Sequence, residues 1–193
     1  MTLVLASASP RRSEILDVLD LDHEVHPAAV DESAWPGEKP GEHVERLARA
    51  KAAGVAALRP GSWVLAGDTV VILDDRLLGK PRDPADAVAM LLQLQGRTHQ
   101  VASALALVRP GGTIASGVEV TEVRFRPFGR ELAEAYVDTG EPLDKAGAYG
   151  IQGKGSVLVE GIRGDYSGVV GLPVPLLVRL LEEAGRPYRF RQG

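Results

Sequence analysis

The 193-residue sequence contains no cysteine. This excludes disulfides, thiolate metal sites and cysteine nucleophiles, so any metal must bind through oxygen or imidazole. Oxygen ligands favour magnesium or manganese. Aromatic residues amount to only 5% and are not interleaved with basic ones, which argues against a single-strand nucleic-acid-binding module. There is no excess of positive charge. The formal net charge is -4, so no global basic field attracts nucleic acid, and any anion site must be a local cluster of cations. No stretch approaches the roughly 18 apolar residues of a membrane span. The opening apolar run ends at Ala6, too short for a signal-peptide core and with no basic region before it. The cytoplasm is the expected location, with neither a membrane nor a nucleic acid as partner. The four histidines, at 23, 26, 43 and 99, show no metal-ligand spacing.

What is present is an ordinary soluble composition, 45% hydrophobic and 25% charged, in a length that suits one large domain or two tightly merged lobes. Leu3 to Ala6 reads as a buried strand. Ser9 reads as an N-cap with Pro10 at the first helical position, and the helix runs to about Leu19. Glu24 to His26 reads as a short strand, and Pro27 to Pro40 as a loop carrying Asp31, Glu32 and Trp35. Glu42 to Leu58 reads as an alanine-rich helix closed by Pro60-Gly61. Val64 to Ala66 reads as a strand interrupted by Gly67-Asp68-Thr69 and resumed from Val70 to Leu73, with a turn at Asp74-Asp75. Asp83 caps a helix that Pro84 starts and Gly96 ends. Val101 to Val108 and Val118 to Phe125 read as strands joined through Pro110-Gly111-Gly112, with a bulge expected near Thr121-Glu122 where the alternation slips. Glu131 to Val137 reads as a short helix, Thr139 to Gly155 as a glycine-rich loop, Val157 to Ile162 as a strand, Leu176 to Ala184 as the last helix, and Tyr188 to Phe190 as an edge strand. The alternation of helices and strands implies an α/β protein with a mixed, twisted central sheet flanked by helices.

Four segments carry candidate chemistry. In Ser7-Ala8-Ser9-Pro10-Arg11-Arg12, two arginines crowd a helix N-terminus that is already partially positive, and a bound phosphate relieves the conflict. A solvated surface pair fits the same residues. Gly67-Asp68-Thr69 puts a carboxylate between two apolar runs, where it can bind a metal or take a proton from water. An ordinary turn aspartate is the alternative. Asp31-Glu32 is a second carboxylate source. Lys51, on an alanine-rich helix, reads as solvated, whereas Gly79 and Pro81 fix the loop around Lys80. In Gly140 to Gly153, glycines permit close backbone approach to a ligand. Lys145 there can hold phosphate, and Gln152 presents a donor and acceptors as reading a pyrimidine edge requires. A flexible surface loop is the alternative. Gly150-Ile151-Gln152-Gly153-Lys154-Gly155 lacks the spacing of a P-loop or dinucleotide fingerprint.

Taken in order, these segments resemble the Maf family of nucleoside triphosphate pyrophosphatases. The resemblance runs from Leu5-Ala6-Ser7-Ala8-Ser9-Pro10-Arg11-Arg12, through Val30-Asp31-Glu32, Leu47 to Ala52, Ala66 to Val71, Gly79-Lys80-Pro81 and the Lys145 to Gly153 loop, to Gly164-Asp165-Tyr166-Ser167-Gly168-Val169-Val170-Gly171-Leu172-Pro173. It implies a single Maf-type domain over residues 1–193, with two merged lobes around a cleft in an inosine triphosphatase-like fold. It implies a homodimer that hydrolyses nucleoside triphosphates to monophosphate and pyrophosphate with magnesium or manganese. The Ala148-Tyr149-Gly150-Ile151-Gln152-Gly153 loop resembles the branch acting on dTTP and UTP. Carried over residue by residue, Asp68 matches the proton acceptor, and Arg12, Thr69 and Gln152 match substrate-selecting positions. Ser7, Arg11, Glu32, Lys51, Lys80 and Lys145 match polar positions of the family's cleft, with Glu32 and Asp68 as the expected metal carboxylates and Lys51 and Lys80 as catalytic cations. A housekeeping pyrophosphatase for modified nucleotides, or a regulator of septum formation with weak catalysis, are the rival expectations.

Overall fold

The computed structural model describes residues 3–191. Its elements in chain order are β1 (Leu3–Leu5), α1 (Pro10–Val18), β2 (His23–Val25), α2 (Pro40–Leu58), β3 (Trp63–Leu73), β4 (Arg76–Leu78), α3 (Pro84–Leu94), β5 (Thr98–Val108), β6 (Ile114–Phe125), α4 (Arg130–Val137), β7 (Val159–Arg163), α5 (Tyr166–Val170) and α6 (Val174–Glu183). The described strands form one mixed sheet in the order β2-β1-β3-β5-β6-β7, with β4 paired to β3. The expected fold class is therefore the observed one.

Chain contacts divide the described residues into two compact units. The first comprises the chain up to Asp68, Ser103–Glu119, and the chain from Gly171 on. The second comprises Thr69–Ala102 and Val120–Val170. Each has its own apolar core. In the first, Leu3, Leu5, Leu16, Leu65, Leu105 and Leu107 pack with Leu172, Leu176, Leu177, Leu180 and Leu181. β1 is an unbroken apolar run because it is paired in parallel on both sides, Leu3 against His23 and Trp63, Leu5 against Val25 and Leu65; a strand buried on both faces has no polar alternation. The chain leaves β1 through α1 to reach β2 on one side. It then returns through α2 to β3 on the other. β1 is thus a topological switch point, and ligands in open α/β sheets bind beyond the carboxyl ends of strands at such points. β3 continues past its last β1 partner, Leu65, through Ala66 and Gly67 to Asp68.

β3 is one strand of 11 residues, not the interrupted pair expected at Gly67-Asp68-Thr69. Gly67 serves packing. A Cβ there would lie 3.0 Å from Leu105 Cδ2, 3.1 Å from the Ala104 carbonyl oxygen and 3.2 Å from Arg12 Nε. The Asp74-Asp75 turn stands as expected, both residues at positive φ (49° and 59°), and it folds β4 back against Ile72 and Leu73. The Arg109–Thr113 connection likewise joins β5 to β6. The slip read near Thr121-Glu122 reflects a polar residue at an inward position. Val120 is exposed while Thr121, Val123 and Phe125 are buried, so the alternation is regular and Thr121 is a buried polar residue. Its hydroxyl accepts from Asp165 N at 2.9 Å and donates to Asp165 O at 3.2 Å. The register shift against β7 falls between Arg124 and Phe125. Tyr188 to Phe190 form no strand. The Tyr188 hydroxyl donates to Leu19 O instead. α5 was not expected from sequence. Asp165 starts it by accepting from Ser167 N, Ser167 Oγ and Gly168 N. No helix among the described residues is long and apolar enough to cross a membrane.

The second core surrounds His99. Its ring stands edge-on to Phe125 and Tyr149, Nε2 lies 2.8 Å from the Tyr149 hydroxyl, and Nδ1 has no partner. Burial lowers its pKa to about 4 from the ordinary 6.5. The folded state holds this ring neutral while the unfolded chain takes up a proton below pH 6.5, so stability present above that pH is lost as pH falls toward 4. Urea unfolding of the wild type and His99→Phe at pH 7 and pH 4.5 tests this. The acid-induced loss of stability is expected to be smaller in the variant by on the order of 2 kcal/mol. Equal losses in both would show that His99 does not carry the effect.

Candidate active site

α2 buries His43, Val44, Leu47, Ala48, Lys51, Ala52 and Val55. These recur at helical spacing, so Lys51 occupies a core-facing position of an amphipathic helix and is not the solvated cation expected from the surrounding alanines. A buried ammonium requires anionic partners. It has two. Lys51 Nζ lies 2.7 Å from Asp68 Oδ1 and 2.6 Å from Glu32 Oε1. The Asp68 side chain is 13% exposed and that of Glu32 62%, so one carboxylate is set into β3 and the other reaches in from an open loop.

That loop is tied to α2. Glu38 accepts from Arg46 Nε and Nη2, from Trp35 N at 3.1 Å, and pairs with His43 Nδ1 at 2.9 Å. Hydrogen bonding from Arg46 holds the Glu38 carboxyl well below the usual carboxylate range. The Arg46 guanidinium also stacks 4.2 Å above the Trp35 ring and donates to Ser33 O. Glu32 is therefore carried on a segment pinned by its neighbours. Sequence reasoning passed over Glu38 and Arg46. Their eight-residue separation across a helix start gives no periodic signal.

Ser9 stands at the N-cap of α1 but its side chain makes no capping bond. Its N–H donates to Ser7 Oγ at 3.2 Å. Arg12 Nη1 donates to the same oxygen at 2.8 Å, and Arg12 Nε to Gly171 O at 2.8 Å. The terminal segment Gly164 to Pro173 thus supplies the acceptor that orients Arg12. Burial pushes the Arg12 guanidinium below its ordinary value. The charges of Asp68 and Glu32 oppose that shift, and Arg11 adds to it. Cations and carboxylates meet in one cluster: Ser7, Arg12, Glu32, Lys51 and Asp68, with Arg11 beside Arg12.

The chain matches the family model described as Maf-like protein over residues 2–184. It belongs to the Maf-like protein family. It is 52% identical over 189 residues to a dTTP/UTP pyrophosphatase of Myxococcus xanthus, covering 98% of this chain and 95% of that protein. It is 51% identical over 180 residues to a protein of the same name from Desulfotalea psychrophila, covering 93% and 92%. Among solved structures it is similar to the Staphylococcus aureus Ham1 protein, with a TM-score of 0.48 at 16% identity over 98% of this chain and 92% of that one.

The remaining positions carried over from the Maf resemblance belong to the second unit. Thr69 follows Asp68 in β3 and is partly buried. Lys80 is exposed at the end of β4. Lys145 is turned into its own loop, donating to Glu141 O at 2.6 Å and pairing with Asp144 at 2.7 Å. Gln152 is exposed between Gly150 and Gly153. Among the described residues no group of three or more His, Asp or Glu side chains could hold a metal. Glu32 and Asp68 supply two carboxylates, both held by Lys51. Two hard carboxylates converging on a single cationic centre match what magnesium or manganese takes when substrate phosphates and water complete the shell.

The fork of Arg12 ties α1 to both Ser7 and Gly171, a geometry a lysine cannot reproduce. Arg12→Lys is expected to lower unfolding stability by about 1–3 kcal/mol. Chemical denaturation at pH 7 measures it, and unchanged stability would remove the structural part of Arg12's role.

Proposed function

We propose that this chain hydrolyses dTTP and UTP to the nucleoside monophosphate and pyrophosphate. One observation carries the reading: Asp68 and Glu32 converge on the Lys51 ammonium, within 2.7 and 2.6 Å, with Arg12 coupled to both carboxylates. Family membership and half-identical relatives named dTTP/UTP pyrophosphatase support it.

Asp68 accepts the proton of a water molecule and orients its oxygen toward the α-phosphorus. The new oxygen–phosphorus bond forms as the bond to the bridging oxygen breaks, and pyrophosphate leaves with the bonding electrons. Lys51 holds the Asp68 carboxylate in place at 2.7 Å and can pass from Glu32 to a phosphate oxygen while retaining Asp68. Arg11, Arg12 and Lys80 neutralise the triphosphate, most of the catalysis being charge stabilisation and positioning. Glu32 and Asp68 would hold magnesium or manganese, which when bound adds positive charge against the phosphates. Gln152 reads the pyrimidine edge, with Thr69 and Arg12 as further substrate-selecting residues and Ser7 and Lys145 as polar contacts. We further propose a cytoplasmic location, the default reading of the sequence, and a homodimer, which the Maf resemblance implies.

Two measurements test these roles. Asp68→Asn is expected to keep the fold with a lowered thermal unfolding midpoint, since Lys51 loses its buried partner, and to lower dTTP turnover by about a thousandfold; wild-type turnover would end the assignment. A panel of standard and modified nucleoside triphosphates with magnesium or manganese, scored for monophosphate and pyrophosphate, is expected to favour dTTP and UTP. Gln152→Glu is expected to weaken that preference against GTP, and an unchanged preference would exclude base reading by Gln152.

A further inference from the structure

The glycine-rich segment from Gly150 to Gly155 is built around a carboxylate. Glu141 Oε1 accepts from the Tyr136 hydroxyl at 2.8 Å and from Gly155 N at 3.2 Å, and Oε2 accepts from Lys154 N at 2.9 Å. The Tyr136 oxygen in turn accepts from Gly150 N at 3.0 Å. Both ends of the Ile151-Gln152-Gly153 segment are therefore anchored on one pair of side chains.

The glycines are the spacing that this wrap demands. A Cβ at Gly153 would lie 2.6 Å from both Glu141 carboxylate oxygens, and one at Gly155 would lie 2.5 Å from the Tyr136 hydroxyl. At Gly150 it would lie 2.7 Å from Lys145 Cε. At Gly155 the Gly150 carbonyl oxygen, 2.6 Å away, also bars a side chain, while one at Gly153 or Gly150 would displace the Glu141 carboxylate or the end of Lys145. Partial burial pushes the Glu141 carboxyl up, but hydrogen bonds from Lys154 N, Tyr136 and Gly155 N, with the nearby Lys145 charge, outweigh it and hold the group below its ordinary value. An ionised carboxylate only accepts, which matches the two amides and one hydroxyl that face it. Burial pushes the Tyr136 phenol up, so it stays protonated and donates.

We propose that Glu141, locked by Tyr136, is a positioning residue for base selection: it sets the backbone that presents Gln152 without touching substrate. This rests on the base-reading role proposed above for Gln152. The consequence is that loss of the Glu141 carboxylate relaxes selection in the same way as loss of the Gln152 amide.

Steady-state kinetics with dTTP and GTP on the full chain test this, in the wild type, Glu141→Ala, Glu141→Gln, Tyr136→Phe, Gln152→Ala and the Glu141→Ala/Gln152→Ala double variant, with thermal unfolding of each. Glu141→Ala is expected to lower the dTTP-over-GTP ratio of kcat/KM by about tenfold, mainly through the KM for dTTP. Gln152→Ala is expected to do the same, and the double variant to lose no more than either single one, because both act through one group. Glu141→Gln keeps one acceptor oxygen and Tyr136→Phe keeps the carboxylate, so each is expected to give a smaller loss and to carry the test if Glu141→Ala fails to fold. An unchanged ratio in the Glu141 variants while Gln152→Ala lowers it would overturn the positioning role and leave base reading intact. An unchanged ratio in Gln152→Ala would overturn base reading and this inference together.

Discussion

The first unit depends on an ammonium placed where an apolar side chain belongs. Lys51 lies on the buried stripe of α2, between Leu47–Ala48 and Val55. A helix face of that kind tolerates a charge only when it is neutralised on the spot. Asp68 does this from β3 and Glu32 from the loop before α2. The other features serve the same group. Gly67 has no side chain, which leaves room for Arg12 against β3. Arg12 is held by Ser7 and Gly171 and brings a second cation to the same carboxylates. Glu38 and Arg46 hold the loop that carries Glu32. In a protein of net charge -4, a triphosphate site cannot come from an overall field. It has to come from a local alternation of sign, and the cluster proposed for it is one in which each carboxylate holds a cation in place.

The same device occurs in the second unit with the signs exchanged. There the group held in place is an anion, the partly buried Glu141, and its partners are backbone amides and a phenol rather than a lysine. Amides can reach a carboxylate from several directions only where glycine removes the Cβ, which accounts for Gly153 and Gly155. Gly153 and Gly155 thus belong to a backbone wrapped on a carboxylate.

Elements with local punctuation were legible in the sequence. Asp83 and Pro84 start α3, with Asp83 accepting from Asp86 N as a cap should. Asp74-Asp75 turn β3 into β4, and Gly111 and Gly112 stand at positive φ in the β5–β6 connection. Misreadings arose where a residue's role is set by a distant partner. Thr121 is polar yet buried because Asp165, 44 residues on, satisfies its hydroxyl. Gly67 looked like a strand breaker because its neighbours Leu105 and Arg12 are invisible along the chain. Lys51 is the most instructive. Its spacing from Val44, Leu47, Ala48 and Val55 already put it on the buried face, and the high alanine content drew attention away from that register. The meeting of Ser7, Arg12, Glu32, Lys51 and Asp68 was carried by the family resemblance, since no spacing along the chain announces that residues 61 positions apart converge.

The central claim is that this cluster directs water to the α-phosphorus of a nucleoside triphosphate. Hydrolysis of dTTP in oxygen-18 water, with mass analysis of the products, tests it most directly. The account predicts the heavy oxygen in dTMP and unlabelled pyrophosphate. Label in inorganic phosphate with dTDP as the other product, or label in pyrophosphate, would contradict it.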